Sequence, residues 1–182
     1  CASRHSGVCH GIPSPTEFLR EGDLLNVDVT TELRGFHGDT SRTFGIGRLS
    51  AEAAHVRDVA RRCRDAGIAA IRVGAPLGVI AAAIEPLATS EGCSVVECFG
   101  GHGIGQLMHE PPHVPYSGPA DLGPILADGM CLTVEPMINL GGPDVVVAAD
   151  GWTVRTADGR LSAQFEHTVL ITNEGAEVLT RS

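Results

Sequence analysis

The sequence contains no lysine: its 13 basic residues are all arginines, against 22 acidic residues, and the formal net charge is -9. The absence of lysine excludes catalysis through a lysine Schiff base. The acidic balance argues against a polybasic nucleic-acid groove and against a membrane-surface anchor, so we expect neither partner. The apolar runs, such as residues 80–84, are far shorter than the roughly 20 residues of a membrane-spanning helix.

Closely spaced cysteine pairs are also missing. Six cysteines are scattered through 182 residues without any Cys-x-x-Cys spacing, whereas disulfide-dependent secreted scaffolds are far denser in cysteine. We therefore expect reduced thiols, buried as small apolar side chains, and a cytoplasmic location. With 43% hydrophobic and 19% charged residues, the composition is that of one soluble globular domain.

An alternating stretch near the N-terminus predicts a β-hairpin. Apolar and polar residues alternate over residues 25–30, the period of a half-buried strand. Residues 34–35 supply a turn, and a second strand follows it. A hairpin centred at residues 33–34 would place Asp28 directly opposite Asp39, so that two carboxylates project from one face of a sheet.

Two helices follow the hairpin. Ser50 is a typical N-cap with Glu52 in the first turn, and apolar residues then recur every three or four positions up to residue 70. A second helix is predicted over residues 77–90. Pro86 falls inside it and either kinks the helix or ends it.

Strand-like segments dominate the rest of the chain. We predict strands at residues 95–96, 130–140, 145–147 and 162–172, a turn at 158–159, and a loop over the proline-rich residues 111–124. Residues 100–105 are too rich in glycine for a regular element. The order of strands, two helices and further strands indicates an α+β fold.

Four carboxylates and one imidazole are candidate metal ligands: Asp28, Asp39, His102, Glu135 and Glu166. Each acid lies in an apolar strand segment, where a carboxylate facing the core is costly unless it is paired or metal-bound. Four converging acids would repel each other, and a pair of divalent cations would neutralise them. Carboxylate-rich ligation with one imidazole suits Mn, Fe, Co or Zn. Any one of these acids alone could equally be an exposed or salt-bridged strand residue.

The remaining histidines and the glycine run refine this prediction. Gln106 stands where the third glycine of a G-x-G-x-x-G fingerprint would be, so we expect no nucleotide site. His10 and His109 border turn residues and could reach a cleft. His167 should face away from the adjacent Glu166 on its strand. We expect surface or structural roles for His5, His37, His55 and His113.

Seven stretches together resemble the type I methionine aminopeptidases, metallopeptidases of the pita-bread fold. They occur in the family's order: CHGIP (9–13), GDLLNVDVT (22–30), GFHGDTSRTF (35–44), GHGIG (101–105), TVEPMINLGG (133–142), DGWTV (150–154) and SAQFEHTVLIT (162–172). The resemblance implies a curved antiparallel sheet flanked by helices and built from two pseudo-symmetric halves. It also implies a metal-dependent aminopeptidase that removes the N-terminal methionine of nascent proteins by means of a water activated between two metal ions.

The resemblance assigns the metal ligands one by one. Asp28 would bind metal, Asp39 and Glu166 would bridge two divalent ions, and His102 would bind one of them. Glu135 would bind one ion and act as the proton shuttle. The ions would be Co, Mn, Fe or Zn.

The resemblance also assigns the substrate site. His10 and His109 would flank the scissile peptide and stabilise the tetrahedral intermediate. Cys1, Met108 and Trp152 match positions that line the pocket for the methionine side chain, where sulfur–aromatic contacts are favourable. The expected partners are nascent polypeptides with N-terminal methionine and, transiently, the ribosome, and the expected state is a monomer.

The chain begins at Cys1, already inside the first of these stretches. The family's catalytic domain usually carries further residues before this point. We therefore expect residues 1–182 to be a single catalytic domain that lacks its N-terminal portion, with the first half of the fold incomplete.

Two alternatives to a methionine aminopeptidase remain. A proline-directed aminopeptidase or dipeptidase on the same fold shares the five-ligand pattern, so the ligands do not discriminate, although CHGIP and SAQFEHT favour the methionine enzymes. A non-catalytic binding module on this fold would typically lose ligands, and here all five are present.

Overall fold

The computed structural model describes residues 1–181, which form antiparallel strands around two helices. The helices are α1 (Ala51–Ala70) and α2 (Val79–Ser90). The strands are β1 (Ala2–Arg4), β2 (Gly7–Cys9), β3 (Leu24–Leu33), β4 (Phe36–Gly45), β5 (Ser94–Val95), β6 (Gly101–Gly103), β7 (Glu110–Val114), β8 (Cys131–Val134), β9 (Met137–Asn139), β10 (Val145–Val147), β11 (Val154–Thr156), β12 (Ser162–Gln164), β13 (His167–Thr172) and β14 (Gly175–Val178). The α+β prediction is confirmed.

The hairpin of β3 and β4 sets the positions of the first two candidate ligands. Its turn is Arg34–Gly35, with φ of 55° and 83°, and positive φ at both central residues is the signature of a tight type I′ hairpin turn. The register therefore pairs Asp28 with Ser41 and Asp39 with Thr30. The prediction that the two aspartates lie directly opposite is wrong, because the turn is centred one residue later. They are instead diagonal neighbours on the same face of the hairpin.

Helix α1 begins where its cap predicts, since the Ser50 hydroxyl accepts the Ala53 N–H at 3.1 Å. Helix α2 begins at Val79, two residues later than expected, and continues through Pro86 to Ser90. The alternative in which the proline ends the helix is thus wrong.

The predicted strands 130–140 and 162–172 are each divided in two at their acidic residue. Val134 pairs with His167 in the β8–β13 ladder, and Met137 pairs with Gln164 in the β9–β12 ladder. Both ladders share one register, so the gap between them places Glu135 opposite Glu166. The interruption brings the second pair of carboxylates together.

The glycine-rich segment is more regular than its composition predicts. Residues Gly101–Gly103 form β6, within the sheet of order β14-β13-β8-β6-β7, and part of the predicted loop 111–124 belongs to β7. A Cβ atom on Gly101 would lie only 2.3 Å from the Tyr116 hydroxyl and 2.5 Å from the Thr133 carbonyl oxygen. Glycine is needed here for close packing and not for flexibility.

The helices cover one face of the strands and leave the other for the acids. Along β12 and β13, Ala163, Phe165 and Val169 are buried in the core that contains the helices, while Gln164 and Glu166 line a cavity on the other side. This is the alternation that a strand imposes. Neither helix among residues 1–181 is long and apolar enough to cross a membrane.

Candidate functional site

A cavity of about 760 Å³ opens on the strand face that the helices do not cover. Its wall contains every residue that the sequence predicted for the site. These are the five metal-ligand candidates Asp28, Asp39, His102, Glu135 and Glu166, the histidines His10 and His109, and the pocket residues Cys1, Met108 and Trp152. Residues from all seven of the predicted motifs therefore meet in one place.

Three of the five candidate ligands form a tight group. One ligand atom from each of Asp39, His102 and Glu166 lies within 4.8 Å of the other two. Glu135 adjoins this group, with its Oε1 atom 3.6 Å from Nε2 of His102. Asp28 lines the same cavity as the diagonal neighbour of Asp39.

The acids of the site are held in an environment that disfavours their charge. Burial, and then the negative charge of Asp39, raises the pKa of Asp28 to about 6. Burial raises the pKa of Glu135 to about 8, although the Thr133 hydroxyl donates a hydrogen bond to it. Burial and the charge of Glu135 raise the pKa of Glu166 well above its usual value. Without cations, this group of acids cannot carry its full negative charge near neutral pH.

Two observations show that the donor set fits divalent cations. Oε1 of Glu166 is buried and has no hydrogen-bond partner among residues 1–181, and a buried carboxylate oxygen is costly without one. Nδ1 of His102 lies 2.9 Å from the Gly103 carbonyl oxygen, which can only accept, so Nδ1 carries the proton and Nε2 presents its lone pair. Burial also lowers the pKa of His102, which favours the neutral imidazole that a metal needs.

The hydrogen-bond partners of the ligands were missed by the sequence reasoning. Gln164 Nε2 donates to Oε2 of Glu135 at 3.2 Å, and the Thr168 hydroxyl accepts the Asp39 backbone N–H at 2.9 Å. Gln164 and Thr168 lie two residues on either side of Glu166, so they share its strand face, and period-2 reasoning could have found them. Tyr116 lies in the predicted loop, where no sequence signal marked it.

One end of the cavity is apolar and aromatic. The His10 ring stacks on Trp152 with 5.1 Å between ring centroids and packs edge-on against Phe99. His10 also has a φ of 59°, an unusual conformation that often marks functional sites. Burial lowers the pKa of His10, which favours its neutral form.

Sulfur-containing side chains complete this end of the cavity. Cys9 and Met137 line it beside the predicted residues and were missed. Burial raises the pKa of the Cys9 thiol to about 12, so it remains neutral and acts as a small apolar side chain. Sulfur, indole and phenyl groups together suit an apolar, polarisable substrate side chain.

The other histidines lie where the sequence predicts, except for His113. His109 lies beside the ligand group, its ring 4.3 Å from that of His102. His167 faces away from the cavity and hydrogen-bonds Thr180 Oγ1 at 2.9 Å. His113, expected to be only a surface or structural residue, also lines the cavity. Structural hydrogen bonds hold the remaining three, His5 to Asp23, His37 to the Gly105 carbonyl and His55 to the Glu91 carbonyl.

All six cysteines are free thiols, and the expectation that they are buried holds for Cys9, Cys63 and Cys93. Cys1 and Cys98 are exposed, and Cys131 is half-buried.

Comparisons with known proteins agree with this geometry. Residues 1–173 match the model of metallopeptidase family M24. Methionine aminopeptidase B of Synechocystis sp. is 49% identical over 180 residues, which cover 99% of this chain and 66% of that protein. Human mitochondrial methionine aminopeptidase 1D is 44% identical over 182 residues, 53% of its length. The chain thus spans between about half and two thirds of these two relatives.

Solved structures show the same fold. The crystal structure of methionine aminopeptidase from Rickettsia prowazekii superposes with a TM-score of 0.97 at 43% identity, covering 100% of this chain and 73% of that one. A prolidase from Pyrococcus furiosus superposes at 0.76 with 20% identity and 49% coverage of its chain, which shows the fold alone. The pita-bread architecture is therefore established, and the chain belongs to metallopeptidase family M24, among the methionine aminopeptidases.

Proposed function

We propose that this protein is a metal-dependent aminopeptidase that hydrolyses the N-terminal methionine from peptides and nascent proteins. The observation that carries the proposal is that one cavity contains two kinds of lining: a group of buried acids with one imidazole, and a set of sulfur-containing and aromatic side chains. The first part suits divalent cations, and the second suits a methionine side chain.

The metallopeptidase family implies divalent metal ions, and we propose that two would be held by Asp28, Asp39, His102, Glu135 and Glu166. Bound divalent ions would supply an activated water near neutral pH. We propose that these ions are Co, Mn, Fe or Zn. The unpartnered Oε1 of Glu166 supports its role as a metal ligand.

We assign proton transfer to Glu135. Its carboxylate lies in the cavity beside the other candidate ligands, with Oε1 3.6 Å from Nε2 of His102, and a carboxylate within reach of the reacting groups can act as a general acid–base group. Its carboxylate is held by Thr133 and Gln164, so it can accept a proton from the attacking water and return one to the leaving amine.

The two cavity histidines suit the substrate side of the reaction. His109 lies beside His102, and His10 is fixed between Trp152 and Phe99. We propose that their ring N–H groups hydrogen-bond the scissile peptide and offset negative charge on the carbonyl oxygen as it becomes tetrahedral. Cys1, Met108 and Trp152 would contact the methionine side chain.

The wider biological setting is also part of the proposal. The substrates would be nascent chains, reached by transient contact with the ribosome. We propose that the enzyme acts in the cytoplasm as a monomer and that residues 1–182 form a single catalytic domain. The set of six free thiols agrees with a reducing compartment.

A peptide-release assay tests the activity. Purified metal-free protein is reconstituted with Mn(II) or Co(II) and offered Met-Gly-Met and matched Xaa-Pro peptides. We expect release of free methionine from Met-Gly-Met only when metal is present. Preference for the Xaa-Pro peptides would instead favour a proline-directed enzyme, and metal binding without any hydrolysis would favour a binding module.

A further inference from the structure

Two hydroxyl groups lie between the strands that carry His102 and Glu135. Strand β6 pairs with β8 only at Gly103 and Leu132. Beyond this pair, towards the metal-ligand candidates, the backbone N–H groups of His102 and Glu135 donate to side chains and not to the neighbouring strand. The hydroxyls of Thr133 and Tyr116 therefore take the place of backbone–backbone hydrogen bonds between the strands next to His102 and Glu135.

The Thr133 hydroxyl contacts both candidate ligands at once. It accepts the His102 backbone N–H at 3.0 Å and donates to Oε1 of Glu135 at 2.7 Å. A hydroxyl has one hydrogen and two lone pairs, so it can satisfy both bonds together. Thr133 is fully buried, so its hydroxyl makes both bonds within the protein.

The Tyr116 hydroxyl holds the backbone at the same point. It accepts the Glu135 N–H at 2.7 Å and lies 3.5 Å from the Thr133 carbonyl oxygen. Tyr116 is only 1% exposed. Its hydroxyl occupies the space that a Cβ atom on Gly101 would need. The hydroxyl therefore packs directly against the backbone of β6.

We propose that Thr133 and Tyr116 are positioning residues, which fix the separation between the His102 imidazole and the Glu135 carboxylate. This inference rests on the proposed function, because it assigns the two hydroxyls to the geometry of the metal site. Partners that orient metal ligands typically change metal affinity or activity by about 10–100-fold when they are removed. A side chain that merely filled space would change stability alone.

The test compares Thr133→Val, which keeps the shape and loses both hydrogen bonds, with Thr133→Ser, which keeps the hydroxyl. Tyr116→Phe keeps the ring and removes only the Tyr116 hydroxyl, which accepts the Glu135 N–H. Thr156→Val is the matched control, because Thr156 is a buried threonine whose hydroxyl donates to the Arg160 carbonyl outside the cavity. For each purified protein we would measure Mn(II) binding by calorimetry, the Co(II) visible absorption spectrum, kcat and KM on Met-Gly-Met, and the metal-free melting temperature.

We expect Thr133→Val to weaken Mn(II) binding at one site and to lower kcat, each by about 10–100-fold, with an altered Co(II) spectrum and little change in KM. Thr133→Ser should restore both values. Tyr116→Phe should change the same readouts in the same direction, and it tests the inference independently if Thr133→Val does not fold. The control should lower the melting temperature and leave the metal isotherm and the Co(II) spectrum unchanged.

The inference is overturned if Thr133→Val and Tyr116→Phe bind metal and turn over like the unmodified protein, or if they differ from it only in melting temperature. Failure of the unmodified protein to bind metal or to release methionine would overturn the proposed function itself. The two failures are thus distinguishable.

Discussion

At the scale of single residues, the site consists of acids that sit where strands normally place apolar side chains. All ten residues predicted from the sequence line one cavity. The acids were noticeable because an acid inside an apolar strand is unusual, whereas the pocket residues Cys1, Met108 and Trp152 followed only from the resemblance of their motifs to the family. The hydroxyl and amide groups that hold these acids carry no such signal. A buried threonine such as Thr133 looks like an ordinary strand residue until its partners are known.

Glu135→Gln tests the proton-transfer assignment. The substitution keeps the size of the side chain and removes its ability to exchange a proton, so we expect kcat to fall by at least about 10²–10⁴-fold, the usual contribution of a general acid–base group. Substrate binding should persist in part, because the pocket residues are untouched. Single-turnover kinetics and calorimetry with a Met-initiated peptide would measure the two effects separately.

Glu97→Gln is the control for this variant, since Glu97 is an exposed glutamate outside the cavity. It should behave like the unmodified protein. A Glu135→Gln enzyme that retained near-full turnover would show that another group transfers the proton.

At the scale of elements, a continuous hairpin ladder brings Asp28 and Asp39 together, and a break between two ladders brings Glu135 and Glu166 together. The alternating pattern of residues 25–30 predicted the hairpin correctly. Its register depends on the turn conformation, and residue types alone do not predict the positive φ at Arg34. The division of the later strands at Glu135 and Glu166 was also missed, because the hydrophobic pattern continues across each break. The α1 boundary was predictable because Ser50 satisfies a local backbone group.

Thr168→Val tests the contact between β4 and β13. The Thr168 hydroxyl accepts the Asp39 N–H and donates to the Asp39 carbonyl, each at 2.9 Å. Because both backbone groups are buried, their loss should lower the free energy of unfolding by about 1–3 kcal/mol. Urea unfolding of metal-free protein would measure the change. Thr168→Ser should retain most of the stability, and equal losses in the two variants would refute the hydrogen-bond account.

At the scale of the whole molecule, an acidic chain concentrates four carboxylates in one buried cavity. A chain of net charge -9 already repels itself, and the cluster adds a local cost that divalent cations would remove. The sequence could predict the ligand types, but not that Asp39, His102 and Glu166 would form the closest group. That depends on contacts between strands far apart in the chain.

The metal-free protein should lose stability as the pH rises from about 6.5 to 8. The pKa of Glu135 is raised to about 8 and that of Glu166 is also raised, whereas an unfolded glutamate titrates near 4.3. The native state therefore holds more protons than the unfolded state in this window, and the free energy of unfolding must fall with pH. The histidines with lowered pKa, His10, His102 and His167, act in the opposite direction near pH 6.5, where an unfolded histidine is half protonated, and their contribution fades towards pH 8.

Denaturation curves at several pH values, with and without Mn(II), would measure this effect. We expect the downward slope in metal-free protein, a smaller slope in Glu135→Gln, and a stabilisation by Mn(II) that grows with pH because the ion replaces the protons. A metal-free stability that was flat or rising across this window would contradict the electrostatic account.

The most direct test of the central claim is a crystal structure of the Mn(II)-reconstituted protein with anomalous diffraction data. The account predicts two anomalous peaks in the cavity, both contacting Asp39 and Glu166, with His102, Glu135 and Asp28 completing the ligation. A cavity without peaks, or manganese bound only elsewhere, would contradict it.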